Sequence, residues 1–258
     1  MALRLSTAAR NFLNSGGSVR QMLQGGRIEV YSGTQPAGGD SAVSGTLLGT
    51  YTRASGAWTA ETRSAGTVTL NSGSAGSVDA ITIDGVSVLD TVVPYNTSLT
   101  QTAADVAAAV NRTLTNTDWV ATSSGAVITF TAKPGLGTRY NGKTLTSTVT
   151  TLTKTDVNPS GGVVSANGIR YDVAAGGAIA LRSSDVVTCV AVAGGTAGWF
   201  RHYGPNTDAG AADGSFIYNR LDGSIATSGA QINMNPTLWV AGATQTLSTF
   251  APTIPASL

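Results

Sequence analysis

Short β-strand patterns separated by glycine-rich turns run along most of this 258-residue chain. They are rich in β-branched and aromatic residues, as in Ile28–Tyr31 and Val186–Val192. Strands this short and this evenly spaced are typical of an all-β sandwich or barrel. We therefore expect a mainly β fold with a β-sandwich or barrel-like outer domain. Similar patterns occur at Thr46–Thr52, Gly168–Asp172, Ala178–Leu181, Gly198–Tyr203, Phe216–Leu221, Gln231–Met234, Leu238–Val240 and Thr244–Thr249.

Residues 65–157 have the pattern of a small α+β domain. One amphipathic helix, which either Ser98 or Thr100 can cap, is predicted to end near Asn116. A helix packed on a small antiparallel sheet would make a compact domain. The strands predicted around this helix are Thr67–Asn71, Val78–Ile83, Val86–Val93, Trp119–Ser123, Val127–Ala132 and Leu145–Leu152.

The flanks of this segment, 55–64 and 158–162, are polar and rich in Gly, Ser and Pro, as linkers between domains tend to be. We therefore expect a discontinuous outer β domain made of residues 27–62 and 160–258, with the α+β domain of residues 65–157 inserted into it. The proline-containing tail 251–258 suits an edge strand or an extended arm.

Residues 1–26 hold the remaining helical signals and are expected to form an N-terminal helical arm. Apolar residues recur there at helical spacing after two serines, and glycine pairs end each run. Helices this short are marginal in water unless an apolar face is buried. We expect the apolar residues to pack either on their own β domain or across a subunit boundary in a homo-oligomer. These interface candidates are Leu5, Phe12, Leu13, Met22 and Leu23.

The charge balance narrows the classes of partner. Charged residues make up 11% of the chain, against about 25% in a typical soluble protein. The 15 Lys and Arg and 14 Asp and Glu leave a net charge of +1, which gives no electrostatic attraction to nucleic acid or to an anionic membrane. The first ten residues also lack the apolar core of a signal peptide. We expect a soluble chain made and kept in a cytoplasm, with neither nucleic acid nor membrane as partner.

The single cysteine and the single histidine limit the chemistry. Cys189 lies in an apolar run and is expected to be a buried small hydrophobe. His202 lies in an aromatic-rich strand pattern and is expected to be half-exposed, since most catalytic and zinc sites need a histidine with partners. Glu29 and Glu61 fit exposed positions, and Asp208 and Asp213 do not have calcium-loop spacing, so we expect them to face solvent. No metal site or cofactor is predicted.

One segment, Gly137–Thr144, matches the Gly-x-x-x-x-Gly-Lys-Thr form of a phosphate-binding loop. That chemistry needs a helix directly after the loop, so that backbone N–H groups and the helix N-terminus face the phosphates. The run Thr144–Leu152 is β-branched and alternating, which favours a strand. We therefore interpret Asn141-Gly142 as a hairpin turn, with Lys143 beside it and not below a helix N-terminus.

Two blocks of sequence carry a resemblance to a known family. The first comprises Leu3–Gly26, Ile28–Ala37 and Gly45–Gly49, and the second comprises Gly195–Arg201 and Asp222–Asn235. Together they resemble a family of small structural virion proteins, of capsid decoration or cement type, encoded by tailed bacteriophages and prophages. Family members are shorter and pass almost directly from the first block to the second.

The segment between the blocks resembles a small β-rich module that recurs in phage virion proteins, with Ile83–Val86 placed before a helix like Ala103–Val110. The resemblance implies a non-enzymatic virion protein without cofactors. The protein would form a homo-oligomer and bind the major capsid protein. It would be located in the virion, which is assembled in the cytoplasm of the bacterial host. Two alternatives stay open: a tail or baseplate component, and an enzyme that binds nucleotides or cleaves glycans.

Overall fold

The computed structural model describes residues 3–208, 210 and 215–252, and its fold is mainly β, as predicted. The helices are α1 (Thr7–Asn14), α2 (Val19–Leu23) and α3 (Leu99–Val110). The strands are β1 (Arg4–Leu5), β2 (Arg27–Ser32), β3 (Leu47–Arg53), β4 (Ala65–Ser72), β5 (Ser77–Ile83), β6 (Val86–Leu89), β7 (Val93–Pro94), β8 (Trp119–Ser124), β9 (Val127–Ala132), β10 (Leu145–Thr150), β11 (Thr153–Ser160), β12 (Val187–Val190), β13 (Gly195–Tyr203), β14 (Arg220–Ala226), β15 (Ile232–Asn233), β16 (Leu238–Trp239) and β17 (Thr244–Thr246).

The chain divides into two compact units. Unit 1 combines the residues up to Glu61 with those from Val164 onward, and unit 2 is Thr62–Val163. Each strand pairing in the described part of the chain joins strands of the same unit. Strands β2 and β3 therefore pair with β13 and β12, which lie far along the sequence, and not with the strands of unit 2.

Unit 1 is a nine-stranded sheet that curls toward a barrel. Its order is β1-β14-β13-β2-β3-β12-β17, and β16 pairs with the start of β13. β17 pairs with β12, and only residues 240–243 separate it from β16, so the chain brings this edge of the sheet back toward β13. The face inside this curled sheet forms the core, which contains Ile28, Val30, Phe200 and Trp239. Alternation along β2 explains the arrangement, since Arg27, Glu29 and Tyr31 point to the other face.

The N-terminal residues belong to this core and do not form a separate arm. β1 pairs with β14, and the Ser6 hydroxyl caps α1 by accepting the Ala9 N–H. The buried faces of α1 and α2 pack on the sheet of unit 1 because helices this short need an apolar partner. This is the first of the two arrangements expected for the apolar residues, packing on their own β domain.

Unit 2 contains two four-stranded sheets and α3. One sheet has the order β11-β4-β9-β8, and in the other β10 and β6 flank β5, with β7 also on β5. The β5–β6 hairpin turns at Asp84-Gly85, whose φ values of 54° and 77° fit a two-residue type I′ turn. The core of unit 2 lies between the sheets and α3 and includes Val68, Ile81 and Val106.

Serine 98 caps α3, which settles the choice between Ser98 and Thr100. Its hydroxyl accepts the Gln101 N–H, whereas the Thr100 side chain is exposed within the first turn. We expect Ser98→Ala to lower the free energy of unfolding of unit 2 by about 1 kcal/mol, because one N–H of the first turn loses its acceptor. Urea titration would measure the loss. Thr100→Ala is the matched control, and an equal loss in both variants would contradict the role of Ser98.

Several sequence-based boundaries were wrong. The helix ends at Val110 and not near Asn116, whose side chain bonds backbone groups of Val110 and Trp119 instead. The expected strands 168–172 and 178–181 reduce to two isolated bridges, Tyr171↔Leu181 and Ala175↔Ala178, the second of which closes the turn at Gly176-Gly177. The strand predicted at 216–221 lies at 220–226. β11 extends to residue 160, inside the expected linker 158–162.

Candidate functional site

The predicted interface residues are mostly inside the protein. Phe12, Met22 and Leu23 are fully buried, and Leu5 and Leu13 pack partly exposed against the same core. The three buried side chains are therefore unavailable to another subunit. Deletion of residues 2–24 would therefore remove part of the core of unit 1.

His202 is fully buried, which corrects the expectation of a half-exposed side chain. Its Nδ1 lies 2.8 Å from the carbonyl oxygen of Tyr203, and its Nε2 lies 2.6 Å from the hydroxyl of Tyr171. A carbonyl can only accept, so Nδ1 carries the proton and Nε2 accepts from Tyr171. Desolvation lowers the pKa of His202 to about 3, and the charge of Arg27 acts in the same direction. A neutral, enclosed imidazole of this kind holds the core together.

Two buried ion pairs involve arginines of strands β13 and β14. Arg201 donates from Nε and Nη2 to the two carboxylate oxygens of Asp222, at 2.7 Å each, and both side chains are buried. Arg220 binds Asp208 in the same two-pronged way, at 2.7 and 2.5 Å. The sequence suggested that Asp208 faces solvent, but its side chain is buried in this ion pair. Asp213 lies outside the described residues. Arg201 also donates to the carbonyl of Ser41 and so fixes the loop before β3.

The two glutamates considered for acid–base chemistry are also wholly or partly buried. The carboxylate of Glu29 accepts from Arg27 Nε at 2.9 Å and from the Tyr31 hydroxyl at 2.5 Å. The guanidinium of Arg27 in turn lies between the rings of Trp58 and Tyr203, at 4.4 and 4.5 Å. Glu61 is buried, so its predicted exposure was wrong. The Glu29 carboxylate is committed to these neighbours and stabilises the sheet.

The loop that matches the phosphate-binding pattern has a different structure. Strand β10 follows it, as predicted, but the loop joins two different sheets and is not the hairpin that we expected. Backbone N–H groups that a phosphate would need are bonded to carbonyls of the chain itself, in Arg139, Asn141, Gly142 and Lys143. The Lys143 ammonium lies 3.3 Å from the Asp84 carboxylate at the surface. This geometry offers phosphate neither a helix N-terminus nor a cradle of free amides.

Cys189 is buried, as its apolar surroundings predicted, and desolvation raises the pKa of its thiol to about 12. A thiol with such a pKa is unreactive at neutral pH. Within residues 3–208, 210 and 215–252, no group of three or more His, Cys, Asp or Glu side chains is placed to hold a metal ion. In the same part of the chain, no helix is long and apolar enough to cross a membrane.

A shallow groove runs along α3 in unit 2. It has a volume of about 450 Å³ and is lined by Val93, Tyr95, Asp105 and Arg112, among others. The Asp105 carboxylate accepts hydrogen bonds from Asn96 and Gln101, which lowers its pKa. This acid therefore favours its ionised form.

One face of the β11-β4-β9-β8 sheet points away from the core. On the two inner strands, β4 and β9, and on the edge strand β8, this face carries no charged residue. Along these strands, buried residues such as Val68, Ile128 and Phe130 point into the core, and the Thr, Val, Ser and Asn residues between them point to the outer face. Cross-strand pairing places Thr67 beside Thr129, which pairs with Thr122. A neutral face of this type can contact another protein without desolvating charge. Its residues are Thr67, Thr69, Asn71, Val120, Thr122, Ser124, Val127, Thr129 and Thr131.

The sequence did not predict the buried ion pairs or the burial of the histidine. The sequence did contain a signal for the ion pairs, because charged residues between 201 and 222 lie inside strand-like runs. A charged residue in a buried strand requires a partner. Comparison of the chain with protein-family models, with curated proteins and with solved structures found no match.

Proposed function

We propose that this chain is a non-enzymatic structural protein of a tailed-bacteriophage virion that decorates the capsid by binding the shell of the major capsid protein. The observation that carries the proposal concerns the two blocks of the family resemblance. They are separated by about 145 residues of sequence, yet they fold into one continuous structure.

The first block supplies β1, α1, α2, β2 and the start of β3, and the second supplies most of β13, β14 and β15. Pairings β1–β14, β14–β13 and β13–β2 bring them together. A shorter family member that passes directly from one block to the other would retain these pairings. The resemblance therefore follows a structural unit, which supports its use as a guide to function.

The chemistry of the surfaces supports the same proposal. The candidate catalytic side chains are engaged in the core or in ion pairs, and the sheet face of unit 2 is neutral and hydroxyl-rich. A neutral surface of this kind can form a contact between subunits that buries little charge.

The copy number in purified particles tests the proposal. A decoration protein is present in hundreds of copies per particle and lies on the shell in a particle map, whereas a tail or baseplate component is present in few copies at one vertex. We expect a gel band that scales with the band of the major capsid protein. Particles that lack the gene should regain the band when purified chain is added, and an unrelated β-rich host protein is the control. Absence from particles would contradict the proposal, and few copies at the tail would favour the alternative.

A further inference from the structure

A group of exposed apolar side chains surrounds one end of the barrel of unit 1. We call it the apolar end and define it by Leu47, Val190, Val192, Leu238 and Val240. Their exposed fractions range from 36% for Leu47 to 67% for Val192, so each projects well into solvent.

The backbone brings these residues together. Val190 pairs with Thr244, and the Val192 N–H donates to the carbonyl of Leu48. The Gly242 N–H, two residues after Val240, donates to the carbonyl of Ala191. The strand that carries Leu238 pairs with the start of β13, directly after the turn that follows Val192.

Alternation explains why these side chains point outward. Their neighbours Leu48, Cys189, Ala191 and Trp239 are all buried in the core. Adjacent residues of a strand point to opposite sides. Each residue of the apolar end therefore faces away from the core where its neighbour in the sequence faces into it. The interior of the barrel therefore cannot absorb these five side chains.

The stretches of chain that form the apolar end contain no charged residue. Three stretches of sequence form it, 41–52, 186–200 and 223–252, and none contains Asp, Glu, Lys, Arg or His. A surface without charges is complementary to a copy of itself, since no like charges meet when the same patch is used twice. A charged partner surface would lose hydration there without gaining a counter-charge.

The exposed apolar area also fits a contact with a second copy of the chain. Five side chains of this size and exposure present apolar surface on the order of 400 Å², within the range of about 300–600 Å² found for the largest patch on a monomer. A standard interface buries about 800 Å² on each partner. The apolar side chains supply about half of that area, and the neutral Thr, Ala and Gly surface around them can supply the rest.

We propose that the apolar end is the surface through which two copies of this chain associate. The contact depends on apolar burial, so salt should change it little, unlike an interface held by surface charges. The inference does not rest on the location of the protein in a virion, because it concerns the purified chain alone.

Sedimentation equilibrium of the purified full chain tests the proposal. We expect concentration-dependent association whose dissociation constant changes by less than about twofold between 0.1 and 1 M NaCl. Val192→Glu places two like charges in the contact and should weaken association at least about tenfold. Val173→Glu, at a position of unit 1 that is 75% exposed and outside the apolar end, is the matched control and should leave association unchanged.

Circular dichroism confirms that each variant is folded, and Leu238→Glu replaces Val192→Glu if the latter does not fold. A wild-type chain that stays monomeric up to roughly 0.5 mM would overturn the proposal. So would association that neither apolar-end variant weakens, or that Val173→Glu weakens equally. A monomeric chain that still joins particles would overturn this inference and leave the proposed function standing.

Discussion

Replacement of Asp222 by asparagine is expected to lower the free energy of unfolding of unit 1 by about 3–5 kcal/mol. Asparagine keeps the shape of the side chain but removes the charge that neutralises Arg201. Both partners are buried, so the guanidinium would remain in the interior without its counter-charge. A loss of this size is a large part of the total stability of a domain, about 5–15 kcal/mol, so we expect a marginally folded protein.

Guanidinium titration followed by tryptophan fluorescence measures this effect, since Trp58, Trp199 and Trp239 lie in unit 1. Asp172→Asn is the matched control, because its carboxylate accepts the Ser183 N–H at an exposed site, and a change within about 0.5 kcal/mol is expected. The double variant Arg201→Met with Asp222→Leu removes both charges and should be more stable than Asp222→Asn. A double variant less stable than the single one would contradict the isolated-charge explanation.

The same ion pair shows why sequence reasoning misplaced β14. The run from Arg220 to Gly223 contains two charges and a glycine, which locally indicate a turn. Its burial depends on partners distant in sequence, Arg201 and Asp208, whose positions no local pattern contains. Tertiary pairing therefore decided the conformation of this segment.

The elements that sequence predicted well have local causes. β9 was placed at Val127–Ala132 because its residues alternate cleanly between core and surface, and β8 and β5 were within one residue. The helix α3 has a capping serine directly before its twelve residues and an apolar stripe within them. The mainly β character followed from such patterns, since each strand signal is complete within its own few residues.

The candidate sites needed three-dimensional information. Leu5, Phe12, Leu13, Met22 and Leu23 were correctly identified as an apolar set, but amphipathicity alone does not show what covers an apolar face. The burial of His202 similarly depends on Tyr171 and Phe250, which lie 31 and 48 residues away in the sequence. The apolar end is assembled from three separate stretches of sequence, so it was visible only in the folded structure.

Acidification from pH 6.5 to 4.5 is expected to destabilise unit 1 by about 2 kcal/mol through His202 alone. The pKa of this histidine is about 3 in the folded protein, below the ordinary value of 6.5 that applies in the unfolded chain. Between these values the unfolded state binds a proton that the native state does not bind. Stability therefore rises with pH through this window and falls as pH is lowered, at up to about 1.4 kcal/mol for each pH unit.

The groups that face the imidazole explain why the folded protein excludes the proton. Nδ1 already donates to the carbonyl of Tyr203, the Tyr171 hydroxyl occupies Nε2, the Phe250 ring stacks beside it, and Arg27 contributes positive charge. A second proton would therefore lose water without gaining a negative partner. The range above pH 4.5 also avoids most of the titration of ordinary carboxylates, which have pKa values near 4.

Urea titrations at pH 6.5, 5.5 and 4.5 on the wild type and on a Tyr171→Phe/His202→Phe double variant measure the contribution of this histidine. The double variant removes the titrating group together with the hydroxyl that would otherwise be buried without an acceptor. It is expected to be less stable at pH 6.5 because the bond between the two side chains is lost, but its stability should change little between pH 6.5 and 4.5. Tyr171→Phe alone keeps the histidine in its apolar enclosure and should retain the pH dependence. If the double variant loses stability with acid as steeply as the wild type, another group carries the effect and the assignment to His202 is wrong.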